Sequence, residues 1–211
     1  MKPDPALPPY LAGCRVIEVA HPAIRAQAEA LRVAGDARAT AEQCFLFVRD
    51  QIDHCVDVRR NPVTCTASEV LAERVGYCYA KSHLLAALLR AAGLPAGLCY
   101  QRLRLAPGRD QFCLHGLNAV YLPRHGWYRI DARGNKPGVD AAFVPPKEQL
   151  AFALQQPGEH DFPGIWAEPW PEVIAVLESQ QDWQQALEVL PDRLPQAVAL
   201  AAGQPDWRHS P

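Results

Sequence analysis

Gly76-Tyr-Cys-Tyr-Ala-Lys-Ser-His83 runs directly into Leu84-Leu-Ala-Ala-Leu-Leu-Arg90, and Gly93-Leu-Pro95 follows closely. Leu84, Leu85, Leu88 and Leu89 recur at helical spacing, Gly93 suits a left-handed stop, and Pro95 cannot continue a helix. The pattern predicts a buried helix over about 78–92 with Cys78 in its first turn. A thiol there lies beside backbone N–H groups that have no intrahelical acceptor and at the positive end of the helix dipole, which favours thiolate over thiol. Cys78 is the candidate nucleophile.

A cysteine nucleophile needs a base, and the base needs a group that holds its orientation. Downstream of Pro95 the texture changes to β-formers: Leu98–Leu105, Leu114–Leu122 and Trp127–Ile130, separated by Pro-Gly-Arg-Asp and Pro-Arg-His-Gly turn signals. Three antiparallel strands are expected. The four residues Pro123 to Gly126 force the second and third into a hairpin. His115 opens the middle strand and Asp131 closes the next, so the two come within reach across neighbouring strands. With the leucine face of the 78–92 helix on this sheet, a Cys78–His115–Asp131 triad assembles. His83 lies about 140° around the helix from Cys78 and reads as a packing residue.

Gly76-Tyr-Cys78 leading into Ser82 to Pro95, then His115-Gly-Leu-Asn-Ala-Val-Tyr121, then Gly126-Trp-Tyr-Arg-Ile-Asp131, resemble in order and spacing the core of the transglutaminase-like superfamily, as in bacterial transglutaminase-core proteins. The resemblance covers about residues 40–145. It implies a papain-like α+β fold, with N-terminal helices and a catalytic cysteine helix packed on an antiparallel sheet. It implies acyl transfer from a peptide or amide through a thioester, with Cys78 as nucleophile, His115 as general base and then acid, and Asp131 as orienter. Two departures stand out. Leu117 and Ala119 occupy positions after the histidine where the family often carries an aromatic and an acid, and a chain this short lacks the β-domains of the calcium-dependent enzymes.

For the oxyanion hole, the Cys78 backbone N–H is one donor by helix geometry. Papain-like proteases place a glutamine six residues before the cysteine, where this chain has Ala72. The second donor is left among Gln51, His54 and the Tyr77 and Tyr79 hydroxyls. Tyr77, Tyr79, Cys113 and Asn135 are candidate cleft residues; Cys113 shares a strand face with His115. Release of the acyl group to water is favoured over release to an amine. Two other readings compete: a peptide-binding module that keeps the fold without catalysis, and arylamine acetyltransferase-type acyl transfer, whose family carries a glutamate after the cysteine where Tyr79-Ala-Lys81 follows here.

Net charge −2, from 21 Lys+Arg against 23 Asp+Glu, gives no basic surplus for nucleic acid or an anionic membrane. No apolar run approaches membrane-span length and Met1 to Pro9 has no signal-like apolar stretch, so a cytoplasmic protein is the default. The seven cysteines are odd in number and form no Cys-x-x-Cys pair, so neither a disulfide framework nor a zinc site is expected, and no cofactor is assigned. A homo-oligomer is left open.

Along the chain, residues 1–154 should form the core and 155–211 a proline-rich wrap and amphipathic helix of the same domain. Residues 1–13 read as extended, Arg15–Val19 as a short strand, and Pro22 to about Gly35 as a helix. Asp36 or Thr40 caps the next helix, with Cys44, Phe45, Val48 and Ile52 facing the core. Residues 54–67 read as loop, and Ser68 caps a short helix over 69–72. Further on come a loop at 132–138, a short helix at 145–154, irregular chain to 171, one helix over about 171–190, and a weakly specified tail after Leu194.

Overall fold

The structure, a computed structural model, describes residues 7–105 and 110–193. Expectations for residues 1–6, for the turn at 106–109 and for the tail after Leu194 lie outside that range. Helix α1 (Pro22–Ala30) starts where Pro22 needs no N–H partner and His21 Nδ1 accepts from Ala23 N at 3.3 Å. It stops at Ala30, short of Gly35. Helix α2 (Ala37–Gln51) is capped by Asp36, whose Oδ1 accepts from Ala39 N at 2.9 Å, and buries Ala41, Cys44, Phe45 and Val48. Thr40 caps nothing here; its hydroxyl donates back to Asp36 O.

The stretch 54–67 is not simply a loop. Strand β1 (Asp53–His54) pairs in parallel with strand β2 (Val75–Gly76), and helix α3 (Cys55–Val58) follows β1 at once. Helix α4 (Ala67–Glu73) is longer than expected, and its cap is Thr66, in a reciprocal capping box with Glu69, rather than Ser68. Residues 15–19 form no strand: Val19 N and Cys14 N both bond to Ile17 O, so the segment folds on itself while Val16 and Ile17 still point into the core.

Helix α5 (Cys78–Ala91) matches its expected span, and every residue from Cys78 to Arg90 is buried. Four of these are Lys81, Ser82, His83 and Arg90, and each finds a backbone carbonyl. Lys81 Nζ bonds to Ile52 O, Ser82 Oγ to Cys78 O at 2.8 Å, and His83 Nδ1 to Cys65 O at 2.8 Å. Arg90 reaches Ala96 O, Ala12 O and Ala167 O, tying the chain's two surface crossings to the end of the helix. Polar residues thus fasten α5 to helices and loops that its leucines alone would only contact.

On its other side α5 lies on an antiparallel sheet. Strands β3 (Ala96–Arg104), β4 (Phe112–Leu122) and β5 (Gly126–Ile130) form the expected three, with β4 central and starting three residues before His115. Asn118 Nδ2 donates to Ser82 O at 3.0 Å, locking sheet to helix. Strands β6 (Ala142–Val144) and β7 (Lys147–Gln149) make a hairpin where a helix was expected at 145–154; Pro145-Pro146 forms its turn, and Lys147–Gln149 pair with Ala142–Val144 instead of coiling. Strand β8 (His160–Asp161) breaks the irregular stretch by pairing with β3, giving the sheet order β5-β4-β3-β8. The expected single helix over 171–190 is two, α6 (Pro171–Ser179) and α7 (Trp183–Glu188), because Asp182 turns its carboxylate to Gln184 N and caps a new start. No helix of the described residues is long and apolar enough to cross a membrane.

The close approach of α5 to β4 requires Gly116. A Cβ added there would sit 2.9 Å from Tyr79 Cδ1 and 3.2 Å from Tyr79 Cα, in the first turn of the helix. Gly116→Ala should therefore cost about 1–3 kcal/mol, the usual range for forcing a methyl into a packed contact. Urea unfolding checks this, and an unchanged midpoint would mean that the helix start is free to move away from the sheet.

Candidate active site

Three elements converge at the start of α5. Cys78 is its first residue and is 8% exposed. Tyr77 precedes it in extended conformation, and its side chain makes no capping bond, so the first-turn N–H groups face outward without an intrahelical acceptor. Below lies β4. By the strand's alternation Gly116 faces the helix, and its N–H points to Cys78 Sγ at 3.5 Å. His115 and Cys113 lie on the opposite pleat.

The β4–β5 ladder runs from Leu122↔Gly126 to Asn118↔Ile130, so Asp131 follows directly on the last pair and His115 lies just beyond it on β4. Across that end His115 Nε2 and Asp131 Oδ2 are 2.8 Å apart. Nδ1 is then the ring nitrogen left free to serve the Cys78 side chain, whose charge also acts on His115. Asp131 is 1% exposed and fully engaged: Oδ2 also accepts from Ala151 N at 3.0 Å and Oδ1 from Arg133 N at 3.2 Å.

Burial works against both charged forms, and local charge overrides it. For His115, burial pushes the pKa down, but the charges of Asp131 and Cys78 and hydrogen bonds to both raise it to about 10. For Asp131, burial pushes up, while His115 and the two backbone N–H groups hold the carboxyl below its ordinary range. The geometry thus favours an imidazolium beside a carboxylate. Cys113 and Cys55 differ: burial first, and then the charge of Cys78, pushes each thiol up to about 12, which keeps their protons on at neutral pH.

Cys78 and His115 line a cleft of about 540 Å³, with His54, Tyr77 and Cys113 also on its wall. Several candidate residues fall elsewhere. Gln51 is exposed at the end of α2 and does not line the cleft, since the β1–β2 pairing puts His54 there in its place. Tyr79 is buried under the cleft floor, its hydroxyl donating to Leu114 O. Asn135 turns away from the cleft to bond Ala141 N and O, shaping its own loop. The Tyr77 hydroxyl donates to Trp183 O, so it is engaged with α7. His54 is half-buried, and desolvation first, then Arg133, lowers its pKa well below the ordinary value. Among the described residues its Nδ1 has no partner.

A charged group beside this wall has no local signal in the chain. Arg133 and Lys136 both bond Asp57 of α3, at 2.9 Å from Arg133 Nη2 and 2.6 Å from Lys136 Nζ. Burial would raise the Asp57 pKa, but these two cations drive it down. Arg133 thus has two tasks: its backbone holds Asp131 and its side chain fastens that loop to α3. Phe152 stands edge-on to the His115 ring, centroids 5.0 Å apart, and shields it from water.

The sequence profile of the transglutaminase-like superfamily matches residues 25–132, just over half of the chain. The chain belongs to that superfamily. None of the curated proteins matches it in sequence. Among solved structures, a candidate cysteine protease from Cytophaga hutchinsonii is similar at 19% identity and a TM-score of 0.51, covering 63% of this chain and 43% of its own. That likeness shows the shared α+β fold. The periplasmic domain of TgpA from Pseudomonas aeruginosa is similar at 22% identity and a TM-score of 0.44, covering 58% of this chain and 45% of its own. This superfamily member therefore spans less than half the length of either structure.

Charge on His115 can be read directly. With Asp131 in place its ring should stay protonated through pH 5–8 and lose its proton only near pH 10. In Asp131→Asn the first of the raising charges is gone while burial remains, so the pKa should fall into or below the ordinary range near 6.5. NMR titration of the His115 Cε1 proton checks this; a ring that titrates alike in both proteins would mean that Asp131 does not set its charge.

Proposed function

We propose that this protein is a cysteine enzyme that cleaves a peptide or amide bond through a thioester on Cys78. The observation that carries the proposal is His115 bonded to Asp131 and sharing the wall of an open cleft with Cys78. The reaction begins with the Cys78 proton passed to His115. The Cys78 sulfur attacks the carbonyl carbon, and the oxygen takes up the developing charge beside the first-turn N–H groups of α5. His115 then delivers its proton to the nitrogen as the C–N bond breaks and the amine departs. Water attacks the thioester while His115 accepts a proton from it, the C–S bond breaks, and the acid product leaves with the sulfur restored. Asp131 stays ionised throughout and holds the ring.

His54 is our choice for the second oxyanion donor. It lines the cleft next to Cys78, and its lowered pKa keeps the ring neutral, so one nitrogen carries a proton it can donate. Hydrolysis is favoured over transfer to an amine because water reaches an open cleft at far higher concentration than any amine.

Incubation with a library of blocked peptide amides, followed by intact-mass measurement, should reveal an acyl adduct on Cys78 that hydroxylamine removes. Cys78→Ala should lose the adduct and about 10⁴–10⁶-fold in turnover, the scale seen when a covalent nucleophile is removed. Turnover that survives in a folded Cys78→Ala protein would overturn the assignment.

A further inference from the structure

Strand β4 has an open edge beside the cleft. Its ladder with β5 begins only at Asn118, so residues 112–117 have no strand neighbour on that side among the described residues. Leu114, next to His115, points its N–H there, and the chain's own Pro191 O accepts it at 2.6 Å. The segment that carries Pro191 is tied down at both ends. Arg102, stacked on the Phe112 ring at 3.6 Å, donates to Asp192 O at 2.9 Å and meets Asp192 Oδ2 at 3.1 Å. Asn61 holds the start of α7 through Asp182 Oδ2 and Trp183 N, both at 2.9 Å.

Between these ties the segment divides a groove. Leu187 and Leu190 line the 540 Å³ cleft that holds Cys78, and they also line a neighbouring cavity of about 550 Å³. Leu105 and Cys113 line both spaces too. The two leucines thus stand where the two spaces adjoin.

We propose that the β4 edge at Leu114 is a backbone-binding subsite for an extended peptide, and that residues 187–193 are an internal strap seated in it as such a peptide would be. The inference deepens the reading of the cleft as an acyl-transfer site and rests on it. An open strand edge takes an extended chain by main-chain hydrogen bonds, with side-chain pockets adding selectivity. Here the bond is Leu114 N–H to a carbonyl and the pocket is the one Leu190 fills, so the peptide class is an extended segment with an apolar side chain next to that carbonyl. The strap is built to leave. Pro191 has no N–H to extend the ladder, and Val189 is 51% exposed. A substrate carbonyl can take the Leu114 N–H in place of Pro191 O while Leu114 O stays with the Tyr79 hydroxyl.

The full-length chain tests this without any turnover. Iodoacetamide labelling of Cys78, mapped by peptide mass, reports access to the cleft, and amide exchange at Leu114 reports the strap. In Leu190→Ser/Asp192→Ala both should accelerate together, by about tenfold as local opening becomes easier. A blocked synthetic peptide, Leu-Glu-Val-Leu-Pro-Asp-Arg, should slow both again. Should the double variant lose its thermal unfolding transition, Asp192→Ala alone is read in its place. Faster Leu114 exchange with unchanged Cys78 labelling would overturn the strap, as would unchanged exchange at Leu114 or a peptide that protects neither position. Labelling needs no acyl transfer, so absence of turnover on peptide amides counts against the cysteine-enzyme reading alone.

Discussion

Everything at this site depends on how closely the first turn of α5 can lie on β4. Gly116 N–H reaches Cys78 Sγ at 3.5 Å, and the place of a Cβ at Gly116 is already taken by Tyr79. That contact sets the height of the sulfur above the strand and therefore its distance from the neighbouring His115. The helix cannot drift from this position, because its buried polar side chains are bonded to carbonyls of four separate segments: Lys81 to Ile52, His83 to Cys65, and Arg90 to Ala12 and Ala167 among others. Each bond saves a buried polar group from being left unmet, so breaking the packing costs more than the apolar contact alone. Lys81 shows the tension most clearly, since burial and Arg133 together lower its pKa to about 7.

The central helix and the hairpin were legible because their signals are local. Leucine spacing, Gly93 and Pro95 define α5, and the turn Pro123 to Gly126 fixes which residues of β4 and β5 lie opposite each other. From that register the meeting of His115 and Asp131 follows. What stayed hidden depends on partners distant in sequence. Strand β8 is two residues long and exists only because β3 has an edge to offer. Helix α3 is a single turn whose Asp57 acquires meaning when Arg133, far along the chain, arrives beside it. The helix expected at 145–154 gave way to a strand whose partner, Ala142–Val144, lies just outside that stretch. Gln51 and Asn135 drop out of the cleft for want of a register: nothing local said that β1 would pair with β2 and turn His54, rather than Gln51, toward Cys78.

Backbone groups explain the rest. Asp131 is held by the N–H groups of Arg133 and Ala151, and an N–H leaves no mark in a residue alphabet. Ala151 follows the β6–β7 hairpin, so a short two-stranded element far from the main sheet supplies one of the bonds that keep a buried carboxylate ionised. The adjoining Phe152 then closes the outer side of the His115 ring. One turn of chain thus stabilises the charge of Asp131 and dries the His115 ring bonded to it.

This division of labour bears on how the site stays ordered while its cleft stays open. The charged pair is set by elements around β4, β5 and the 131–152 loop, all of them bonded inward. The outer wall is made of different material: the Leu187 and Leu190 side chains, a proline carbonyl and a partly exposed ion pair. Partly exposed ion pairs contribute little to stability, and a single strand-edge bond is easily exchanged for an equivalent one. Movement of that wall would leave the His115–Asp131 bond intact, because none of the three groups that bond Asp131 belongs to it. A chain built this way can open the cleft at Cys78 without loosening the His115–Asp131 pair.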